Sequence, residues 1–176
     1  MAFKTNEIQN TYPDFTIHTN DNKRIALDIK TTYRSYNKNN TLQSMAFTLG
    51  AYGSFLRNNT KNIVYPYDTY SGHYVIGFVY DRIPDEDCPY SNVQYFIQEK
   101  HKIAGDKPGS GNTENIGSIK TTNFLDFVHG TGPFSKLGIE VFEDYWRNYP
   151  KYRSKEKSYT NLNEYFQTKK KKQPVH

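Results

Sequence analysis

The chain has 176 residues, a formal net charge of +5, 16 Tyr, 11 Phe and a single Cys. This length suits one globular domain and is short for two, one cysteine excludes an intramolecular disulfide, and no apolar run reaches the ~20 residues of a membrane span. We therefore expect a cytoplasmic protein with no membrane partner and an aromatic core, whose basic charge favours an anionic partner.

Two segments near the N-terminus, residues 14–19 and 23–33, flank a polar stretch at residues 20–22. The pattern predicts two antiparallel strands joined by a short turn. Because side chains alternate along a strand, Asp28 and Lys30 would share one face of the second strand. The opposite face would carry Ile25, Leu27 and Ile29.

The later elements are predicted from apolar runs, helical spacing and turn residues. We expect, in chain order, a loop over 34–44, a short helix within 47–58, a strand over 74–80, an acidic turn over 81–92, a strand over 93–103, a loop over 107–117, and helices over 123–128 and 140–149. Strands mixed with helices predict an α/β or α+β layered domain.

Three charged side chains could meet across the first hairpin. Asp14 begins its first strand, thirteen residues separate it from Asp28, and Lys30 follows Asp28 two positions later. Two adjacent carboxylates repel each other, and a hard cation such as Mg²⁺ relieves this repulsion while also binding water and phosphate. With Lys30 to orient or deprotonate a water activated by Mg²⁺, the set predicts phosphodiester hydrolysis.

The same residues also have an ordinary interpretation. Pro-Asp and Asp-x-Lys are short, common patterns, so Asp14 could simply end a strand while Asp28 and Lys30 form a solvated face. Against this, Asp28 and Lys30 lie in a run dominated by Ile, Ala and Leu, where unpaired charges would be costly. Spacing by itself leaves both interpretations open.

Longer blocks of sequence resemble a known family. The Pro-Asp and Asp-x-Lys pattern matches the PD-(D/E)XK nucleases, and the blocks resemble the EcoRV-like type II restriction endonucleases from about Gln9 to Tyr149. The blocks are Tyr-Pro-Asp-Phe-Thr (12–16), Ile-Ala-Leu-Asp-Ile-Lys-Thr-Thr-Tyr (25–33), Arg-Asn-Asn-Thr-Lys-Asn-Ile-Val-Tyr-Pro (57–66), Ile-Ala-Gly-Asp (103–106), Gly-Ser-Gly-Asn-Thr (109–113), Asn-Ile-Gly-Ser-Ile (115–119) and Asp-Tyr-Trp-Arg-Asn-Tyr (144–149). The resemblance implies a restriction-endonuclease-like α/β (α+β) core, in which helices flank a mixed central β-sheet.

The resemblance also implies the catalytic centre. Asp14 and Asp28 would bind Mg²⁺, and Lys30 would assist the attacking water. Enzymes similar to EcoRV are homodimers that cut double-stranded DNA at the palindrome GATATC and leave blunt ends. The same DNA target is therefore expected here.

Further matching positions would contact DNA. A recognition loop in the major groove would consist of Gly109, Ser110, Gly111, Asn112 and Thr113, with the Asn112 amide placed to bond an adenine edge. A minor-groove loop would contain Gln9 and Asn10. Positions near the phosphates would be Thr31, Thr32, Thr48, Ser54 and Asn59. Without the resemblance, these residues would be interpreted as a flexible turn, a frayed terminus and ordinary surface residues.

Two departures from the family pattern concern the dimer interface. The chain begins just before the minor-groove loop, so we expect it to lack an N-terminal segment that supplies a helix with another active-site acid. The connection between Tyr80 and Tyr95 is also shortened. We expect residues 1–150 to form a truncated nuclease core and residues 151–176 a basic, divergent, partly disordered tail. The lysine run at 169–172 would be solvated or, alternatively, would bind phosphate.

Three functions remain open at this point. The first is an active sequence-specific endonuclease, which predicts Mg²⁺-dependent cuts at GATATC. The second is a weakened or inactive DNA-binding remnant, which predicts salt-sensitive binding by a monomer. The third is a metal-dependent nuclease without sequence preference, which would not need Asn112.

Overall fold

The computed structural model describes residues 2–5, 11–83, 87–110, 114–151, 154 and 157–172. Within these residues the strands are β1 (Ala2–Thr5), β2 (Phe15–His18), β3 (Arg24–Tyr33), β4 (Thr48–Ala51), β5 (Tyr70–Arg82), β6 (Tyr90–Glu99), β7 (Ala104–Pro108) and β8 (Asn115–Ser118). The α-helices are α1 (Lys100–Ile103), α2 (Leu125–His129), α3 (Phe134–Leu137), α4 (Ile139–Arg147) and α5 (Leu162–Lys172). A π-helical turn covers Tyr52–Leu56, and a 3-10 turn covers Tyr67–Thr69.

The central sheet contains five strands in the order β1-β2-β3-β5-β6. β3 and β5 pair in parallel along the whole of β3, whereas the other neighbouring strands are antiparallel. A second, three-stranded sheet has the order β4-β8-β7. The predicted mixed central sheet with accompanying helices is confirmed.

The first hairpin forms as predicted, because the polar residues 20–22 turn the chain between two strands of alternating pattern. β2 and β3 pair antiparallel from Phe15 opposite Leu27 to His18 opposite Arg24. β3 then lies against β5, so the hairpin is continuous with the strand predicted over 74–80. This pairing places the charged face of β3 over the interior of the molecule.

The core is largely aromatic, as the composition predicts. Phe96 of β6 stacks on Phe127 of α2 with ring centres 5.5 Å apart, and Phe47 packs edge-on against both rings. A second aromatic layer surrounds Tyr145 and Trp146 of α4, which are both fully buried. The stacking of Phe96 on Phe127 holds α2 against the inner face of the central sheet.

Several predicted boundaries differ from the structure. The expected helix within 47–58 begins only at Tyr52, because the preceding Thr48–Ala51 pairs with β8. The strand expected over 93–103 starts earlier, at Tyr90, and ends at Glu99, where α1 begins. The expected loop over 107–117 is shorter, because β7 and β8 extend into it. α3 was not expected from the pattern.

Part of the C-terminal segment is helical rather than unstructured. Lys169 and the lysines after it belong to α5, and Lys169 Nζ lies 2.6 Å from Asp144 Oδ2. Tyr165 also contacts the Asp144 carboxylate, and the Tyr159 hydroxyl donates to the Tyr145 carbonyl at 2.6 Å. Packing against α4 therefore orders a segment whose own sequence is strongly polar. The division at residue 150 stays a prediction.

Among the described residues, no helix has the length and apolar character needed to cross a membrane.

Candidate active site

Asp14 lies immediately before β2 and faces Asp28 of β3. Phe15 pairs with Leu27 in the antiparallel ladder, so the residue before Phe15 comes opposite the residue after Leu27. The Asp14 carboxylate also accepts a hydrogen bond of 2.6 Å from the backbone N–H of Ile29. This bond anchors Asp14 to the strand that carries the other two residues predicted to be catalytic.

Asp28 and Lys30 project from the same face of β3. Lys30 Nζ lies 2.7 Å from Asp28 Oδ2 and 4.0 Å from Asp14 Oδ2. The Asp28 side chain is 5% exposed, whereas the side chains of Asp14 and Lys30 are 44% and 24% exposed. The structure thus brings the three predicted residues together, with Asp28 inside and the other two open to solvent.

The two carboxyl groups have pKa values shifted in opposite directions. Burial raises the pKa of Asp14, and the charge of Asp28 raises it further, while the Ile29 hydrogen bond and Lys30 only partly compensate. Burial also acts to raise the pKa of Asp28, but the positive charges of Lys100 and Lys30 outweigh it, so the pKa of Asp28 is lowered. A further cation would therefore most strongly favour ionisation of Asp14.

Lys100, at the start of α1, is a fourth charged residue of this cluster. Its Nζ lies 3.5 Å from Asp28 Oδ2 and 3.8 Å from the centre of the Tyr12 ring. Burial lowers the pKa of Lys100 to about 8, although Asp28 opposes that shift. Sequence analysis missed this residue, because it stands in the polar run Gln-Glu-Lys-His-Lys, which is typical of a solvated surface. No local signal distinguishes it.

Tyr12 and His73 form a layer beneath the charged cluster, and sequence analysis missed both roles. The Tyr12 hydroxyl and His73 Nδ1 are hydrogen-bonded at 2.7 Å. The His73 ring stacks on Tyr67 with ring centres 4.1 Å apart. Burial, together with the charge of Lys100, lowers the pKa of His73 to about 3. The layer is therefore uncharged at neutral pH.

Three residues of the charged cluster, Asp14, Asp28 and Lys30, line an open cleft of about 430 Å³. Its wall includes Ser54 from the π-helical turn and Asn115 from the start of β8. Over the described ranges, no group of three or more His, Cys, Asp or Glu side chains could hold a metal ion. Mg²⁺, however, is commonly held by one or two carboxylates together with water and substrate phosphate, so Asp14 and Asp28 are a suitable pair of ligands.

Comparisons with known proteins agree with this geometry. The family model described as restriction endonuclease EcoRV matches residues 1–170. The chain belongs to this family. The type II restriction enzyme EcoRV of Escherichia coli is 47% identical over an alignment that covers 89% of this chain and 69% of that enzyme. Membership in the EcoRV family identifies the chain as a site-specific deoxyribonuclease with a restriction-endonuclease-like fold, as the resemblance implied.

The residues that the EcoRV resemblance places near phosphates lie in several different parts of the structure. Ser54 lines the cleft, and its hydroxyl donates to the Lys61 carbonyl at 3.2 Å. Thr32 shares the inward face of β3 with Lys30, whereas Thr31 points to the opposite face. Thr48 opens β4, opposite Gly117 of β8. Contacts of these residues with DNA stay predictions.

Asn59 lies in a different cavity, of about 440 Å³, which Arg57 and Arg147 also line. Its backbone is left-handed, with φ of 57°, and its side-chain oxygen accepts the N–H of Asp68 at 3.1 Å. The structure thus gives Asn59 a role in shaping a turn. It does not bring Asn59 into the cleft of Asp14 and Asp28.

The expected recognition loop of the EcoRV family is described only at its start. Gly109 and Ser110 form a bend after β7, and the Gly109 N–H donates to the Asn115 carbonyl at 2.9 Å. A Cβ at Gly109 would lie only 3.1 Å from Thr48 Oγ1, so glycine permits a close approach of these segments. The remaining expected DNA contacts lie outside the described residues; they are Gln9, Asn10, Gly111, Asn112 and Thr113.

Proposed function

We propose that the chain hydrolyses phosphodiester bonds of double-stranded DNA at the palindrome GATATC, leaving blunt ends, with Mg²⁺ as cofactor. Asp14, Asp28 and Lys30 form the catalytic centre. The observation that carries the proposal is the convergence of these three side chains, within 4.0 Å of one another through Lys30 Nζ, at an open cleft.

Asp14 and Asp28 would hold the magnesium ion. When bound, Mg²⁺ acts as a Lewis acid that makes water more acidic and offsets the negative charge of the phosphate. The raised pKa of Asp14 supports its assignment as a ligand, because a carboxyl group in this environment gains from a nearby cation. The Ile29 N–H keeps Asp14 aimed at the site by binding one of its oxygens.

Lys30 is the cation of the cluster that is open to the cleft. Its ammonium group lies between the two carboxylates and is accessible enough to reach a DNA phosphate. There it would orient the attacking water or stabilise the charge that develops on the phosphate oxygens. Hydrolysis transfers the water oxygen to phosphorus, breaks one phosphorus–oxygen ester bond and leaves the proton on the departing oxygen.

Sequence readout would come from the loop over 109–113. The Asn112 amide can bond adenine through two hydrogen bonds, and Gly109 and Gly111 let the backbone approach the bases. Gln9 and Asn10 would act in the minor groove. A homodimer in the cytoplasm would match a palindrome, because a two-fold axis then relates both the protein and the DNA half-sites.

The proposal is tested by incubating the purified protein with plasmids that carry either GATATC or the same site with one base pair changed. We expect Mg²⁺-dependent linearisation of the first plasmid only, with blunt ends. An intact GATATC plasmid in both Mg²⁺ and Mn²⁺ refutes catalysis, and salt-sensitive binding without cutting would then indicate a DNA-binding remnant. Cutting of both plasmids would indicate a nuclease without sequence preference.

Asn112→Ala separates sequence readout from catalysis. We expect this variant to lose cleavage at GATATC, because a good bidentate base contact is worth about 1–3 kcal/mol of discrimination. Sedimentation of the same protein samples tests the homodimer. Unchanged GATATC cleavage by the variant would contradict the assigned role of the loop.

A further inference from the structure

Lys100 is buried more completely than a lysine normally is. Its side chain is 1% exposed, and its Nζ has no hydrogen-bond partner among the residues that the structure describes. Its polar contact is the ion pair with Asp28 at 3.5 Å, and the Tyr12 ring face lies beside it. Burying an ammonium group with so little compensation is costly, so its presence at this carboxylate calls for a reason beyond packing.

The two lysines of the cluster contact the same oxygen of Asp28. Lys30 Nζ lies 2.7 Å and Lys100 Nζ 3.5 Å from Oδ2. Together with Asp14, these residues contain two negative and two positive groups, so the cluster is electrically balanced. A divalent cation that approaches the carboxylates must therefore act against the two positive charges of Lys30 and Lys100.

The two lysines differ in exposure. Lys30 is 24% exposed and lies in the open cleft, whereas Lys100 is enclosed by Tyr12, Phe55 and Asp28. If Lys30 turns towards a DNA phosphate, Asp28 would remain a buried carboxylate paired with Lys100. Lys100 can thus keep Asp28 paired and in place while Lys30 changes partner.

We propose that Lys100 is a positioning residue that serves as the permanent counter-ion of Asp28, holds this carboxylate by Oδ2, and weakens the binding of divalent cations to the protein without DNA. This inference rests on the proposed function, because it takes Asp14 and Asp28 as the metal ligands. It assigns Lys100 no contact with DNA or with the reacting atoms.

The test is calorimetric titration of the full chain with Mn²⁺ in the absence of DNA. Lys100→Met removes the charge and keeps a long apolar side chain, and it should tighten Mn²⁺ binding about tenfold, because a positive charge near the cation is lost. Lys102→Met is the matched control. Lys102 is 36% exposed and pairs with Glu99 at 3.1 Å, so its replacement should leave Mn²⁺ binding unchanged.

The same variants are then assayed for cleavage at saturating Mg²⁺. Lys100→Met should cleave at least about tenfold more slowly despite binding Mn²⁺ more tightly, because Asp28 is less firmly positioned. Lys102→Met should cleave at the wild-type rate. Unchanged or weaker Mn²⁺ binding by folded Lys100→Met protein would overturn the proposal.

Urea unfolding of the single variants and of the Lys100→Met/Asp28→Asn double variant keeps the inference testable if Lys100→Met folds poorly. Removing both charges should cost less stability than the two single changes added together, because each single change leaves a buried charge poorly compensated. Additive losses would refute the counter-ion role. If instead Asp28 is not a metal ligand, the Asp28→Asn variant would bind Mn²⁺ as the wild-type protein does. This result distinguishes failure of the proposed function from failure of the counter-ion role.

Discussion

On the two faces of the central sheet, the exposure of a residue does not follow its polarity. On β3 the inward face carries Asp28, which is 4% exposed, whereas the neighbouring Ile29 on the outward face is 37% exposed. The outward face continues across β6 with Tyr95 and Ile97, which are 67% and 58% exposed. At this sheet, a charged residue is more deeply buried than the apolar residues beside it.

The difference shows that charge compensation allows Asp28 of β3 to be buried despite its polarity. Asp28 can be buried because Lys30 and Lys100 contact its carboxylate. The outward face carries apolar residues that are themselves exposed, so apolar character does not by itself lead to burial at this sheet. Variants that affect one face without the other therefore test this comparison directly.

The largest expected difference is between two adjacent residues of β3. Asp28→Asn should lower Mg²⁺-dependent cleavage on the order of 10³-fold, because several kcal/mol of transition-state stabilisation are lost and each 1.36 kcal/mol is tenfold. Ile29→Thr keeps the backbone N–H that binds Asp14 and should leave cleavage nearly unchanged. The measurement is single-turnover cleavage of a GATATC duplex. Similar losses of cleavage activity in both variants would contradict the difference between the two faces of β3.

A second pair of neighbours, on β6, tests stability instead of activity. Phe96→Ala should lower the free energy of unfolding by about 3–5 kcal/mol, because it leaves a cavity beside Phe47 and Phe127. Tyr95→Ala, on the outward face, should cost less than about 1 kcal/mol. Urea denaturation measures both values. An equally large loss for Tyr95→Ala would show that the outward face is covered in solution.

Gly77 of β5 allows a finer test of the inward face, because the absence of a side chain at Gly77 makes room for the buried Phe96 ring. A Cβ at this position would lie 2.2 Å from atoms of the Phe96 ring, which Phe127 holds in place by stacking. Gly77→Ala should therefore destabilise the protein by about 1–3 kcal/mol in urea denaturation. In a Phe96→Leu background the added cost should be smaller, since the ring is gone. Equal costs in both backgrounds would refute the steric explanation.

The smallest expected effect is a pH dependence from His73. Burial lowers its pKa to about 3, whereas the unfolded chain takes up a proton near the ordinary value of 6.5. Between these values the unfolded state binds the extra proton, so stability falls as pH decreases, by about 1–2 kcal/mol between pH 7.5 and 5 for this residue. Urea denaturation at both pH values measures the difference.

Two variants separate His73 from other titrating groups. His73→Phe should reduce the loss of stability on going to pH 5, because the titrating ring is removed. Tyr12→Phe removes the hydrogen bond to His73 Nδ1 but keeps the histidine, so it should retain most of the wild-type pH dependence. Equal pH dependence in wild-type and His73→Phe proteins would rule out this origin.

The sequence determined the hairpin and the meeting of Asp14, Asp28 and Lys30. The alternation of side chains along a strand and a short polar turn each involve only a few neighbouring residues. They can therefore be predicted from the amino-acid sequence without knowledge of distant segments. The same locality explains the errors. Thr48–Ala51 became a strand because β8 pairs with it, and α5 is ordered because Tyr159 and Tyr165 pack against α4.

Only the tertiary structure decided how the charged face of β3 is accommodated. Lys100, which follows the end of β6, contacts Asp28 of β3. Tyr12 contacts Lys100 and is hydrogen-bonded to His73 of β5. The charge of Asp28 is therefore accommodated by residues that are far apart in the chain. The favourable energy of an ion pair depends on distance and on exclusion of water, and both quantities arise from packing. A lysine in a polar run therefore carries no sign of its burial until the chain has folded.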